Sequence, residues 1–126
     1  MADVARGTLL LDSNYLIGIV NGTIPFKPVQ SLRYAISAVT VMELWALAGM
    51  SSAEEERIDG ALELMEIVPI TAAIAKRAGL LARTHRRGKA DLLIAATALE
   101  LGMPLATRNT RDFKRIPGLK LIPDLY

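Results

Sequence analysis

Apolar and polar positions along this chain fall into blocks of two lengths. Short apolar runs such as Thr8-Leu9-Leu10-Leu11 have the length of buried strands. Longer blocks repeat apolar residues at helical spacing, Ile58, Leu62 and Met65 in one, and Ile74, Ala78, Leu81, Ala82 and His85 in another. Taken in order, the pattern predicts a strand over 8–11, then a helix over 14–20 entered through Asp12-Ser13 and stopped by Asn21-Gly22. A strand over 34–39 leads into a helix over 41–48, with Thr40 as its cap and Gly49 as its stop. Ser52 with Glu55 forms a capping box for the Ile58 helix, and Thr71 caps the Ile74 helix. Between them Ile67 to Ile70 reads as a strand, and Pro69, which cannot donate to a ladder, puts it at a sheet edge. Pro25 and Pro28 bracket a loop or a short helix.

The stretch from Lys89 to Phe113 organises the rest. Its helix is apolar nearly all round and so belongs between layers. Asp91 lies in its first turn, and Gly102-Met103-Pro104 ends it. A short strand (Leu105 to Thr107) runs into a polar turn bearing Arg108, Asn109, Arg111 and Asp112. A short helix over 110–115, a Pro117-Gly118 turn and a last strand over 119–122 complete the chain. Short apolar strands alternating with helices predict a mostly parallel sheet covered on both faces. At 126 residues the chain is too short for a (β/α)8 barrel. The expected architecture is an open three-layer α/β/α sandwich forming a single domain over residues 1–126.

Composition narrows the chemistry. Aromatics make up only 5% of a chain that is 52% apolar, so the core is aliphatic. The absence of cysteine excludes disulfides, thiolate metal sites and a Cys nucleophile. Met1 to Gly7 is polar and the apolar run after it is too short for a signal peptide, and no stretch has the length of a membrane span. The expectation is a soluble, cytoplasmic protein. Charge is unevenly spread: residues 1–70 hold 4 basic and 9 acidic side chains, residues 71–126 hold 11 and 4. The basic half is compatible with a polyanionic partner, and equally with solvated helix faces.

Four places put an acid or its amide at a helix start: Asp12, Glu43, Asp91, and Asn109 with Asp112. Each has a local explanation, as an N-cap, as half of a capping box with Thr40, or as an anion at the positive end of a helix dipole. Topology offers another. In an open parallel sheet, ligands bind outside the carboxyl ends of the strands. Asp12, Glu43 and Asn109 follow strands and belong at that edge. Asp91 opens a helix running antiparallel to the sheet, so it starts there too. Carboxylates crowded in one crevice repel unless a cation sits among them. Oxygen donors without Cys or His select a hard ion, Mg²⁺ or Mn²⁺, and such an ion suits phosphodiester hydrolysis. Arg108 and Arg111 are placed either to contact phosphate or simply to solvate a turn.

Three segments, LLLDSNYLI (Leu9 to Ile17), SAVTVMELWALAG (Ser37 to Gly49) and ADLLIAATALELGMPLATRNTRDF (Ala90 to Phe113), together resemble the PIN-domain ribonucleases, and among them the VapC-type toxins. They occur in the family's order and cover most of the chain; the third is the specific one. The resemblance implies a metal-dependent endoribonuclease restrained by a cognate antitoxin, working as a homodimer or in a toxin–antitoxin hetero-oligomer. Asp12, Glu43 and Asp91 match its three metal-binding acids. Asn109 stands where many members carry a fourth acid, and Asp112 is the nearby acid able to share or replace that role, which leaves the number of metals open. Ser13, Asn14 and Thr107 match polar positions around the site. Trp45, or the 25–34 region, is a candidate for the dimer contact. The basic run from Arg83 to Lys89, with Arg86 and Arg87 at its centre, is a candidate for RNA or antitoxin contact, or a solvated face. His85, in register with an apolar stripe, reads as packing or basic-face surface, and Trp45 and the methionines as core or interface.

Two other classes compete. A phosphorylatable receiver domain needs a second acid beside Asp12 and an acid ending a central strand, and Ser13 and the Ile67 to Ile70 run supply neither. A catalytically weak PIN-like module that binds RNA or a protein without cutting is made possible by Asn109, against the retention of Asp12, Glu43 and Asp91.

Overall fold

A computed structural model describes residues 7–125; Tyr126 and the first six residues of the polar amino-terminal stretch lie outside the described residues. The strands are β1 (Thr8–Leu11), β2 (Arg33–Ser37), β3 (Glu66–Val68), β4 (Leu105–Ala106) and β5 (Leu121–Ile122). The helices are α1 (Ser13–Val20), α2 (Ala38–Trp45), α3 (Ser52–Glu63), α4 (Ala72–Ala82), α5 (Lys89–Leu101) and α6 (Thr110–Phe113). The strands form one sheet in the order β3-β2-β1-β4-β5, with every neighbouring pair parallel. The sandwich read from the sequence is the one observed.

The strand pleat sends alternate side chains to opposite faces. Leu9, Leu11, Tyr34, Ile36 and Ala106 pack with Leu16 of α1, Leu44 of α2 and Ile58 of α3. Leu10, Ala35 and Leu105 pack with Ile94, Ala95 and Ala98 of α5 and Phe113 of α6. The far side of α5 buries Leu92 and Ala96 against Ile74 and Ala78 of α4. A helix wedged between the sheet and another helix has no wet face over its middle, which explains its all-round apolar sequence. It stops at Gly102, whose φ of 67° is the left-handed conformation that closes a helix.

Several boundaries differ from those the pattern predicts. β2 ends at Ser37, because the Ser37 hydroxyl accepts from the Val39 N–H at 3.1 Å and starts α2 there. Thr40 is therefore a buried residue inside α2 and caps nothing. The capping box of α3 is Ser51 with Glu54, reciprocally bonded at 3.1 and 3.0 Å, one residue earlier than Ser52 with Glu55. β3 lies at the sheet edge as expected but ends before Pro69. α4 ends at Ala82, so half-buried His85 belongs to the linker beyond it and leaves the apolar stripe. Trp45 and Met42 are exposed, not core, whereas Met103 is buried. Among the described residues no helix is long and apolar enough to cross a membrane.

The order of the strands locates a crevice. From β1 the chain builds outward through β2 and β3, then returns to place β4 on β1's other side. The reversal opens a switch point at the carboxyl ends of β1 and β4, where ligands bind in sheets of this kind.

Candidate active site

Asp12 and Thr107 sit at that switch point, one following each of the two strands. The Asp12 N–H donates to the Ala106 carbonyl at 2.9 Å, which fixes its backbone against β4. Asp12 holds the N-cap position of α1, yet its side chain makes no cap bond. Its Oδ2 instead accepts from the Thr107 hydroxyl at 2.9 Å, and Thr107 Oγ1 in turn accepts from the Asn109 N–H at 3.0 Å. Asp12 is buried, and burial is the main cause that pushes its carboxyl from the ordinary 3.8 up to about 6. The Thr107 bond opposes this; Asp91 and Glu43 add to it by repulsion.

Glu43 does not follow a strand directly, as the sequence suggested. It lies in the second turn of α2, half-buried, and Ser13 from α1 holds it. Ser13 Oγ donates to Glu43 Oε1 at 2.5 Å. A hydroxyl has one proton to give, so at the 2.8 Å contact between Ser13 and Thr40 it is Thr40 that donates. The Thr40 to Glu43 spacing mimics a capping box and is in fact a buried polar chain, Thr40 to Ser13 to Glu43.

Asp91 lies in the first turn of α5, where the helix dipole favours a carboxylate. Burial raises its proton affinity, repulsion from Glu43 and Asp112 raises it further, and Arg87 lowers it. Asp12 thus feels the charges of Asp91 and Glu43, and Asp91 those of Glu43 and Asp112. Asp112 is the most committed of them. Arg87 Nη1 pairs with its Oδ1 at 2.6 Å, and the Asn109 amide donates to its Oδ2.

Of the remaining residues predicted for the site, Asn14 is exposed on the first turn of α1. Arg108 and Arg111, three residues apart, go separate ways. Arg108 pairs with Asp124 at 3.0 Å and lies 6.0 Å from the centre of the Tyr15 ring. Arg111 faces the linker between α4 and α5 and lines a groove there with Arg86, Arg87 and Asp112. Sequence reasoning missed Thr40 as a site residue. Its signal was a polar pair, Thr40 and Glu43, one turn apart on an otherwise apolar helix.

Whether these residues suit a metal can be tested on their chemistry. The donors are carboxylate and hydroxyl oxygens, and a hard cation offsets what raises Asp12 and Asp91, burial first and mutual repulsion after it. Among the described residues, however, no three acid, histidine or cysteine side chains gather closely enough to hold an ion as placed. The engagement of Asp112 by Arg87 and Asn109, and of Glu43 by Ser13, keeps the set open. The donor set fits a hard cation, and Asp112 would have to leave Arg87 to join it.

Comparisons with known proteins give the family of the chain. The PIN-domain family model matches residues 9–119. Ribonuclease VapC10 of Mycobacterium tuberculosis (strain CDC 1551 / Oshkosh) is 36% identical over 122 residues, covering 89% of this chain and 90% of that protein. The tRNA(fMet)-specific endonuclease VapC of Shigella flexneri is 33% identical over 96 residues, covering 70% of this chain and 73% of that protein. Among solved structures, a toxin–antitoxin complex from Klebsiella pneumoniae contains a chain that matches with a TM-score of 0.71 and 32% identity, over 90% of this chain and 95% of that one. With the fold, the family match and these relatives in agreement, the chain belongs to the PIN-domain family, in its VapC-type ribonuclease branch.

Proposed function

We propose that this chain is an endoribonuclease that hydrolyses RNA phosphodiester bonds with a bound Mg²⁺ or Mn²⁺ ion, as the toxin of a toxin–antitoxin pair working in the cytoplasm. The observation that carries the reading is that Asp12, at the carboxyl end of β1, feels the charges of Glu43 on α2 and Asp91 at the start of α5. Family membership and the ribonuclease relatives support it.

Asp12, Glu43 and Asp91 would hold the cation, with Asp112 or Asn109 completing the set. When bound, the ion polarises the scissile phosphoryl group and lowers the pKa of a water. The chain's own contribution is to hold the acids in place. Thr107 fixes one Asp12 oxygen, and the Ser13 N–H also bonds the carboxylate. Ser13 orients Glu43, and Thr40 keeps Ser13's proton directed at Glu43. Burial excludes water from Asp12, so every electrostatic interaction there is stronger than it would be at the surface. A cognate antitoxin and an oligomeric assembly, with Trp45 or the 25–34 region in a contact, fit the toxin–antitoxin complex among the structural relatives.

One observation favours the second reading, a module that binds without cutting: both Asp112 oxygens are already engaged within the chain. Cleavage of end-labelled structured RNA by the purified chain separates the two. The nuclease cuts with Mg²⁺ or Mn²⁺, stops with chelator and is lost on Asp91→Asn. RNA left intact by folded protein free of co-purified antitoxin would leave the binding module.

A further inference from the structure

Beside the acids lies a groove of about 660 Å³ between two walls. One wall is the linker from Thr84 to Arg87, joining α4 to α5; the other is α6 and the residues just after it. Arg86, Arg87, Arg111, Lys114 and Arg115 line it, and Asp112 is its single acid. The Arg87–Asp112 pair, at 2.6 Å, cancels one charge on each side. Arg86, Arg111, Lys114 and Arg115 have no ion pair among the described residues, although Arg33, Arg77 and Arg108 elsewhere on the chain each find a carboxylate. Four like charges on facing walls repel one another, and a polyanion removes that cost. Arg87 and Asp112 line this groove and also act electrostatically on Asp91, so the groove lies beside the acid cluster.

We propose that this groove is the backbone track for a single-stranded RNA, holding the phosphates that flank the scissile bond on the α6 side of the acids. The assignment rests on the nuclease reading above and deepens it. It selects among the chain's cations: Arg86, Arg87 and Arg111 belong to the track, Lys114 and Arg115 join them, and Arg108, bound to Asp124 and turned toward Tyr15, does not. No phenylalanine, tyrosine or tryptophan lines the groove; His85 is its single ring, and stacking on one ring is sequence-tolerant. The track therefore supplies affinity and position but no sequence choice, as phosphate contacts do. A phosphate that competes for Arg87 takes the ion pair from Asp112, which keeps its bond from the Asn109 amide.

The test uses the full chain in chelator, so that nothing is cut, and fluorescein-labelled unstructured RNA oligonucleotides of two unrelated sequences. Anisotropy titrations over a NaCl series compare the natural chain with Arg86→Ala/Arg111→Ala/Lys114→Ala/Arg115→Ala. All four positions are exposed, and circular dichroism checks that the variant is folded. Each phosphate contact contributes about 0.7 to the slope of log K against log salt for a single strand, so the slope should flatten by roughly 3 and by the same amount for both sequences. The control Arg33→Ala/Arg77→Ala should keep the natural slope. No RNA binding by the natural chain, an unchanged slope in the fourfold variant, or a loss confined to one sequence would overturn the track. An unchanged slope would hand the groove to an acidic segment of a protein partner. Metal-dependent cutting of the same RNAs by the natural chain is scored separately: cutting with an unchanged slope sinks the track alone, and a flattened slope without cutting sinks the nuclease alone.

Discussion

Asp12→Asn should stabilise this protein at neutral pH when no metal is present, although it removes a residue central to the proposed chemistry. Asp12 is 3% exposed, and its carboxyl titrates at about 6 in place of 3.8. A carboxyl with a raised folded-state pKa stabilises the fold fully only while protonated. That stability is present below about pH 3.8 and is lost as the pH rises through about 6. Above that, the fold carries a buried charge whose cost, at 1.36 kcal/mol per tenfold change in proton affinity, is on the order of 3 kcal/mol. Asparagine keeps an oxygen for the Thr107 hydroxyl and removes the charge. Part of the cost is shared with Asp91 and Glu43, so the realised gain is expected at roughly 1–3 kcal/mol. Urea unfolding in chelator at pH 7.5 and again at pH 4 reads it: D12N should be the more stable protein at pH 7.5, and the difference should close at pH 4. Saturating Mg²⁺ should reverse the order, since a ligand at one hundred times its dissociation constant stabilises the natural chain by about 2.7 kcal/mol. A D12N variant no more stable than the natural chain at pH 7.5 would refute the buried, uncompensated charge on which this account of the site depends.

Three further outcomes follow from the same geometry. Asp91→Asn should abolish cleavage and leave stability in chelator equal or higher, because one of several mutually repelling charges is gone; a loss of stability beyond about 1 kcal/mol in urea would contradict that. Ser13→Ala should cost roughly 1–3 kcal/mol by thermal or urea unfolding, since it leaves the buried Thr40 hydroxyl without its partner, and should also weaken Mn²⁺ binding by freeing Glu43. Arg87→Ala should free Asp112 and tighten Mn²⁺ binding in calorimetry while weakening RNA binding; unchanged metal affinity would mean that Asp112 takes no part.

The sequence is most legible where one physical cause decides the outcome. β1 and α5 read directly, because a four-residue apolar run and a helix apolar on every side each have one place to go. The failures occur where two residues qualify for one role. Ser51 and Ser52 both precede three glutamates, and only the reciprocal bonds to Glu54 choose Ser51. From Ala35 to Val41 the run is small, apolar or β-branched with a serine in its middle, so strand and helix look alike there until the Ser37 hydroxyl takes the Val39 N–H. Pro69 correctly marks an edge strand, and its missing N–H also ends that strand earlier than the apolar run does.

Asp12 and Asp91 were legible as candidates because strand ends and helix starts have fixed places in a parallel sheet; Glu43, a turn inside α2, was placed on a boundary the fold does not have. What holds the acids was not legible. The Ser13–Thr40 bond spans 27 residues and the Thr107–Asp12 bond spans 95, and no local pattern encodes either. Arg108 and Arg111 look equivalent in the sequence; α6, starting at Thr110 between them, turns one toward the α4–α5 linker and leaves the other beside Asp124.

The central claim is that Asp12, Glu43 and Asp91 act as one cation site. Crystals of the chain soaked in Mn²⁺, with diffraction collected at the manganese edge, test it most directly. The account predicts an anomalous peak bounded by these three carboxylates, with the Asp112 carboxylate moved off Arg87 toward it. A peak elsewhere, or none among these acids in crystals whose crevice is open to solvent, would contradict the claim.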